Sequence, residues 1–386
     1  MAPMTSPNVP EPLPAAPPTG RLMGLDALRG VAIAGMVLAN NPGSWSHVLP
    51  PLAHAEWHGC TPTDLVFPFF LFAAGAAMAF SLRRDRLNPQ ANRRDLWLRL
   101  GRRVLILLGL GLFLNGFPAF DWANWRFPGV LQRIALAYGL TATLVLWTKR
   151  RGQVIAAIAV LLGYWIWLVA IPVPGAPGDP LSPEGNWVGY LDRAILGAAH
   201  LYKGGPFDPE GLLSTLPAAV TTLFGYWAGE WLRDRRATPR TSLALIWTGC
   251  AGIALGSLWH WGFPINKPLW TSSYVLFSAG WGAIALGLWH ELADVRRRTT
   301  LTKPFVILGM NAIAIFVGSG LLGRILHRTH IGDGDGAPTT YTWLYQTFFA
   351  SWAGPWPGSL LFAIAMLSLW WAIAWGLHRR RWFFKV

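Results

Sequence analysis

One stretch of the chain concentrates side chains that carry protons in enzymes. Residues 52–70 read LAHAEWHGCTPTDLVFPFF, so His54, Glu56, His58 and Asp64 come directly ahead of a long apolar run. Histidine is the side chain best suited to accept or release a proton near neutral pH. The stretch therefore predicts acid–base chemistry at the edge of an apolar segment.

The same side chains have more ordinary interpretations. A loop histidine is usually only solvated, and His54, Glu56 and His58 are also potential metal ligands. No helical scaffold orients those three residues in the sequence, so we expect no metal site. Asp64 follows Thr61 and Thr63 at the start of the apolar run, where it could do no more than cap a helix.

The elements that position this stretch must be membrane helices. The chain has 386 residues, of which 53% are hydrophobic and 13% charged, and so few charges do not cover a soluble globule of this size. A hydrocarbon layer about 30 Å thick is crossed by about 20 apolar residues. We therefore predict an all-α fold, a polytopic integral membrane bundle of about ten transmembrane helices with no sheet. The predicted spans are 22–40, 65–82, 96–115, 128–147, 153–172, 211–231, 242–261, 270–291, 304–325 and 358–378.

The basic residues behind the net charge of +14 are distributed by topology. One set of connections holds 20 Lys and Arg: 82–95, 148–152, 232–240, 296–303 and 379–385. The alternating set holds only 5: 42–64, 116–127, 173–210, 262–269 and 326–357. The positive-inside rule places the first set and both termini in the cytoplasm and the His54 loop outside. We accordingly expect membrane lipid as a partner and no nucleic acid.

The cysteines and the first residues add little chemistry. Cys60 lies in a predicted outer loop and Cys250 within a span, so we predict neither a disulfide nor a thiolate metal site. Residues 1–20 are Pro-rich and lack a basic n-region and a cleavage site. We expect them to form a disordered cytoplasmic lead, with residues 21–386 as a single transmembrane domain.

Arginines mark the cytoplasmic ends of two predicted spans. Asp26 and Arg29 lie three residues apart on the first span, where they could form a structural ion pair or bind a ligand. Arg102 and Arg103 begin the third span, where arginine commonly reaches lipid phosphate. The same side chains could bind the phosphates of a soluble anionic ligand.

Two polar residues lie within spans. Arg133 is one to two turns inside the fourth span, and a charge near a helix centre costs roughly 2.5 to 3.5 kcal/mol on insertion scales. Arg133 must therefore face a partner or a polar cavity. The other is Asn311, an amide expected inside the bundle about two turns from the inner face of the ninth span.

The predicted outer face carries further polar side chains. Asn40 ends the first span, where Pro42 and Gly43 break the helix, so it lies near the loop that bears His54. The connection 173–210 is long and acidic, as a lid, a binding surface or a simply solvated loop would be. Candidates for substrate binding on this face are Asp64, Asn115, Gln132, Glu210, Asn266 and Lys267.

Seven motifs, in order, resemble the heparan-alpha-glucosaminide N-acetyltransferase family and its bacterial homologues. They cover nearly the whole chain, and no Walker, GxSxG or HExxH motif competes with them. The motifs are RLMGLDALRG, VLANN, HAEWHGCTPTDLVFPFFLF, RFPGVLQR at 126–133, DPEGLLSTLPA at 208–218, FPINKPLWTSSYVLF at 263–277 and GMNAI at 309–313.

The resemblance implies a multi-span acyltransferase of a bacterial inner membrane. Such an enzyme takes acetyl from cytoplasmic acetyl-CoA, its co-substrate, and passes it to the amino group of a glucosamine on the far side of the membrane. The family's active-site histidine falls on His54 and its active-site asparagine on Asn40, and the family favours a homodimer. The CoA nucleotide would be bound by residues among Arg29, Arg102, Arg103, Arg133 and Asn311, with no metal.

Amide formation gives these residues distinct roles. His54 could remove the proton of the attacking amine, and the Asn40 amide could stabilise the thioester oxyanion. Direct transfer and an acetyl-His54 intermediate both remain open. Two other functions also fit: a sugar or small-solute permease using Arg133 and Asn311, and an O-acyltransferase acting on an envelope polysaccharide.

Overall fold

The computed structural model describes residues 22–83, 92–176, 178–334 and 336–384, and in these ranges the protein is helical. The predicted all-α class is confirmed: the one β-type pairing in those ranges is an isolated bridge between His330 and Thr339. The helices are α1 (Met23–Asn40), α2 (Pro62–Ser81), α3 (Arg93–Gly116), α4 (Val130–Trp147), α5 (Arg150–Ala170), α6 (Trp187–Leu196), α7 (Thr215–Arg233), α8 (Pro239–Trp259), α9 (Ser272–His290), α10 (Thr299–Met310), α11 (Ala312–Arg328), α12 (Thr340–Tyr345) and α13 (Pro355–Arg379).

Each predicted span coincides with a helix or a helix pair. Seven helices of the described ranges are long and apolar enough to cross a membrane, and the bent pair of α10 and α11 counts as an eighth if it forms one span. The remaining predicted spans are α3, whose first three turns carry five arginines, and α7.

Two predictions about individual segments need correction. The span 304–325 is not one helix, because α10 ends at Met310 and α11 leaves it at 68°. The connection 173–210 is not simply a loop, since it contains α6, whose first turn is capped by the Asn186 side chain accepting from Gly189 N at 2.7 Å. The predicted disordered lead, residues 1–20, lies outside the described residues.

Glycines allow the central helices to pack at backbone contact. A Cβ on Gly75 of α2 would lie 1.8 Å from the Thr222 carbonyl oxygen of α7, and one on Gly225 of α7 would lie 2.0 Å from the Phe72 oxygen of α2. Small residues permit such close approach between membrane helices. Close packing against α7 therefore holds α2 in place, and the N-terminal turn of α2 carries Asp64.

The helix termini gather at two ends of the bundle. At one, here called the His54 end, the loop after α1 bonds to α13 through Gly43 N and Ser359 O at 3.2 Å. At the other, here called the Asp26 end, Asp294 accepts from Met23 N at 2.9 Å and Gly24 N at 3.0 Å and so caps α1.

Candidate active site

The first turn of α2 builds the centre of the site. Thr61 precedes the helix, Pro62 fixes the backbone at its first position, and Asp64 occupies the third. The Asp64 Oδ2 atom accepts from Thr61 N at 3.0 Å and from Ala55 N at 3.0 Å. The carboxylate thereby holds both the helix start and the preceding loop, with 1% of the residue exposed.

The other carboxylate oxygen binds a histidine and a lysine. Asp64 Oδ1 lies 2.6 Å from His54 Nδ1 and 3.2 Å from Lys267 Nζ. An ionised carboxylate only accepts hydrogen bonds, so the proton of neutral His54 resides on Nδ1. Its Nε2 atom is then an unprotonated acceptor on a side chain that is 52% exposed. A histidine whose other nitrogen is fixed by a carboxylate is the usual arrangement of a general base.

The turn between α8 and α9 anchors the His54 loop. Asn266 Nδ2 donates to Trp57 O at 3.0 Å, and Gly59 N donates to Ile265 O at 2.7 Å. Tyr274 of α9 donates its hydroxyl to Asp64 O at 2.6 Å. Two stretches remote in sequence, 54–64 and 265–274, are thus joined into one unit around Asp64.

His58 and Cys60 lie in the same loop but outside the His54–Asp64 pair. His58 Nδ1 lies 3.3 Å from Asn266 Nδ2, and burial lowers the pKa of His58. Burial also raises the pKa of Cys60 to about 12, which keeps the thiol protonated at physiological pH. Among the described residues no group of three or more His, Cys, Asp or Glu side chains is arranged to hold a metal ion.

A polar cavity of about 630 Å³ opens at the His54 end between α1, α3, α4 and α11. Asn40, at the last position of α1, lines the cavity. Its wall also carries three arginines, Arg126, Arg324 and Arg328. The cavity is therefore suited to a polar ligand of ordinary size.

Two predicted substrate-binding residues form the wall of this cavity through hydrogen bonds to the 126–128 segment. Asn115 Nδ2 donates to Pro128 O at 2.7 Å and to Arg126 O at 3.1 Å. Gln132 Nε2 donates to Phe127 O at 3.0 Å. The side-chain amides of Asn115 and Gln132 thus hold the 126–128 segment in the cavity wall.

Arg126 joins this wall to the acidic connection. Its guanidinium donates to Asp208 at 2.6 and 2.8 Å and also to Glu210. Burial alone would lower the pKa of Arg126, but the Asp208 hydrogen bonds and the Glu210 charge raise it overall. Glu210, predicted to bind substrate, is therefore engaged in an ion pair.

The predicted donor-binding residues divide between the two ends. Arg29 lies 3.5 Å from Asp26. Arg102 is exposed on α3, and Arg103 donates to the Tyr138 hydroxyl at 3.3 Å. Asn311 bonds to the C-terminal segment through Trp382 O and Phe384 N.

Arg133 is separated from those residues. It lies in the first turn of α4, fully buried, where it donates to Gly211 O at 2.9 Å and to the Ser214 hydroxyl. Its guanidinium also lies 5.0 Å from the ring of Trp270. Arg133 therefore joins α4 to the start of α7 at the His54 end.

His54 and Asn40 both lie at the His54 end but face different features. His54 faces Asp64 and Lys267, and Asn40 faces the polar cavity. No hydrogen bond joins the two side chains within the described parts of the chain. The structure thus places Asn40, but not His54, in the lining of the polar cavity.

Three residues of this end were not singled out from the sequence. Tyr274 and Arg126 both stand inside quoted motifs, and each had a detectable signal: a hydroxyl within an apolar span, and a single cation in a turn that has no other Lys or Arg. Arg324 gave no such signal, because its neighbours along α11 do not show which helices enclose it.

The fold and the site together define a polytopic helical membrane protein with a histidine–carboxylate pair at one end. The family model described as a domain of unknown function (DUF5009) matches residues 21–171. The human heparan-alpha-glucosaminide N-acetyltransferase is 30% identical over 362 residues, which cover 79% of this chain and 53% of the human protein. The mouse protein of the same name is 29% identical over 359 residues, covering 78% and 54%.

The resemblance carried by the seven motifs is thereby confirmed. Over most of its length this chain is similar to the human and mouse heparan-alpha-glucosaminide N-acetyltransferases. The chain spans about half the length of the curated relatives it matches.

Proposed function

We propose that the protein is a transmembrane acetyltransferase. It takes acetyl from acetyl-CoA at the cytoplasmic face, which is the Asp26 end, and transfers it to the amino group of a glucosamine-type sugar at the His54 end. The names of the relatives support acetyl transfer to an amino sugar. The distribution of Lys and Arg among the connections supports this sidedness.

The observation that carries the proposal is the His54–Asp64 pair. With Nδ1 bound to Asp64 at 2.6 Å, Nε2 of His54 is the basic atom open to an acceptor. As the amine nitrogen attacks the thioester carbonyl carbon, His54 removes its proton, the C–S bond breaks, and the proton passes to the departing CoA thiolate. Asp64 stabilises the intermediate imidazolium. General base catalysis of this kind contributes about 100- to 10,000-fold in rate.

In this proposal Asn40 stabilises the oxyanion that forms on the thioester. Its amide is a hydrogen-bond donor at the rim of a polar cavity, where a thioester oxygen gains negative charge in the transition state. The hydroxyls of the sugar would be bound by other polar residues of the same cavity.

The donor nucleotide carries several negative charges, so it must remain outside the hydrocarbon layer. Arg29 and the exposed Arg102 lie near the Asp26 end, where a phosphate can reach them without entering the bilayer. Arg103 lies along the same helix with its guanidinium 4.3 Å from the Tyr138 ring. We assign Arg133 to support of the opposite end because its contacts are all there.

The direct test is acetyl transfer by purified protein in proteoliposomes. His54→Ala is expected to reduce N-acetylglucosamine formation from acetyl-CoA and glucosamine at least 100-fold. His330→Ala, an exposed histidine beside α12, is the matched control and should retain wild-type activity. Unchanged activity of His54→Ala would overturn the assignment.

The same preparation separates the proposal from its alternatives. Glucose in place of glucosamine offers hydroxyls without the amine, so CoA release with glucose alone would indicate an O-acyltransferase. Uptake of labelled glucosamine without CoA release would indicate a permease. The proposal predicts CoA release only when an amino sugar is present.

A further inference from the structure

A second cavity adjoins the polar cavity and differs from it in character. It has a volume of about 360 Å³ and lies between the ends of α3 and α4 that are nearest His54. Apolar and aromatic side chains form most of its lining. They include Leu108, Leu112, Trp122, Trp125, Leu136 and Leu196. A hydrocarbon chain is the ligand that such a surface binds best.

This second cavity, here called the apolar pocket, shares a wall with the polar cavity. Gln132 lines both of them, and Arg126 of the polar cavity is paired with Glu210 of the apolar pocket. The partition is the 126–128 segment described above, which Asn115 and Gln132 hold by hydrogen bonds. A molecule with one polar and one apolar part could therefore occupy both sites across this partition.

The pocket lies at the depth where such a molecule would be found. Trp122 at its rim is 72% exposed, and aromatic rings of this kind mark the boundary between headgroups and hydrocarbon. Leu105 lies two turns before Leu112 on α3, a predicted membrane-spanning helix, and is 69% exposed. The pocket therefore faces hydrocarbon while the adjoining cavity lies level with the polar boundary.

We propose that the acceptor is a lipid-anchored amino sugar, an inference that rests on the proposed function. The sugar occupies the polar cavity near Asn40, and the proximal part of its hydrocarbon chain occupies the apolar pocket. The ion pair of Arg126 with Glu210 lies where the two parts of the molecule join. The protein thus selects its substrate for both an amine and a chain.

The test compares two soluble acceptors that differ only in the chain: methyl and octyl 2-amino-2-deoxy-β-D-glucopyranoside. Wild-type protein in proteoliposomes should show a KM for the octyl compound at least tenfold lower than for the methyl compound, because the pocket buries the added methylenes. Equal KM values for the two sugars would overturn the inference and leave the proposed function intact. Acetylation of neither sugar would overturn both.

Pocket-filling variants separate a specific site from simple enrichment of the octyl compound in the bilayer. Leu112→Trp should raise the KM for the octyl compound about tenfold and leave that for the methyl compound within twofold. Leu105→Trp, on the lipid-facing surface of the same helix, should change neither value. Leu196→Trp on α6 fills the pocket from another wall and should repeat the Leu112→Trp result. Equal KM values for the octyl compound in the Leu105→Trp and Leu112→Trp variants would indicate simple enrichment in the bilayer and overturn the inference.

Discussion

Asp64 connects the stability of the site to its chemistry. Five contacts surround its carboxylate: three hold Thr61 and Ala55, and two orient His54 and Lys267. A capping role and a catalytic role were alternatives for this residue in the sequence. In the structure one carboxylate oxygen makes the cap and the other binds the histidine.

Asp64→Asn should therefore separate the two roles. The amide keeps an oxygen for the Thr61 cap but removes the charge that stabilises an imidazolium and fixes the His54 tautomer. We expect kcat for acetyl transfer to fall at least 100-fold while the thermal midpoint changes by only a few degrees.

The control for that variant is Asp121→Asn, an exposed carboxylate in another loop of the same end. It should leave kcat unchanged. An Asp64→Asn protein with wild-type kcat would contradict the role given to the pair.

Asp192 should make stability depend on pH. Burial raises its pKa to about 6 from an ordinary value of 3.8, so the folded state holds a proton that the unfolded state releases between those values. The free energy of unfolding then falls as pH rises through this window, by about 3 kcal/mol at most for this single group. Asp192→Asn removes the titration. The thermal midpoint of the wild type, measured relative to Asp192→Asn, should therefore decrease from pH 4 to pH 7.

Asp333→Asn, at an exposed loop position, serves as the comparison and should follow the wild-type pH dependence. If the difference between wild type and Asp192→Asn were flat or rose with pH, the buried carboxyl would not have the raised pKa described.

Helix α2 depends on contact with α7. Gly225→Ala places a Cβ about 2.0 Å from the Phe72 oxygen, so the two helices must separate. Overpacking of this kind typically costs about 1 to 3 kcal/mol. We expect a lower thermal midpoint in detergent, together with reduced activity because α2 carries Asp64.

Gly109→Ala on α3 is the matched substitution, since nothing lies within 4 Å of the added Cβ. It should keep or slightly raise the midpoint through better helix propensity. Equal midpoints for the two variants would contradict the close α2–α7 packing.

The helices and the local contacts differ in how far the sequence determines them. Apolar runs of membrane-spanning length place the ends of α1, α2 and α13 to within three residues, because the hydrocarbon layer requires runs of this length. The break at Asn311 was not predicted, since no proline or glycine stands at that position. In the structure the Asn311 side chain bonds to Trp382 O and Phe384 N, which are remote in sequence.

The site likewise combines contacts that local sequence indicates with contacts that only the packed bundle creates. His54 and Asp64 are ten residues apart, so their proximity could be suspected from local spacing. Lys267 joins them only because α9 packs beside α2, and the polar cavity forms where α1 and α11 meet the α3–α4 pair. Contacts of that kind follow from the packed bundle and not from local pattern.

For the whole molecule, the account requires acetyl to cross the membrane. The most direct measurement uses proteoliposomes with a defined protein orientation, established by labelling an engineered cysteine at position 333 from one side. Acetyl-CoA is supplied on one face and glucosamine on the other. We predict N-acetylglucosamine only when acetyl-CoA is at the Asp26 end and glucosamine at the His54 end. Product formed only when both substrates are on the same face would contradict transfer across the membrane.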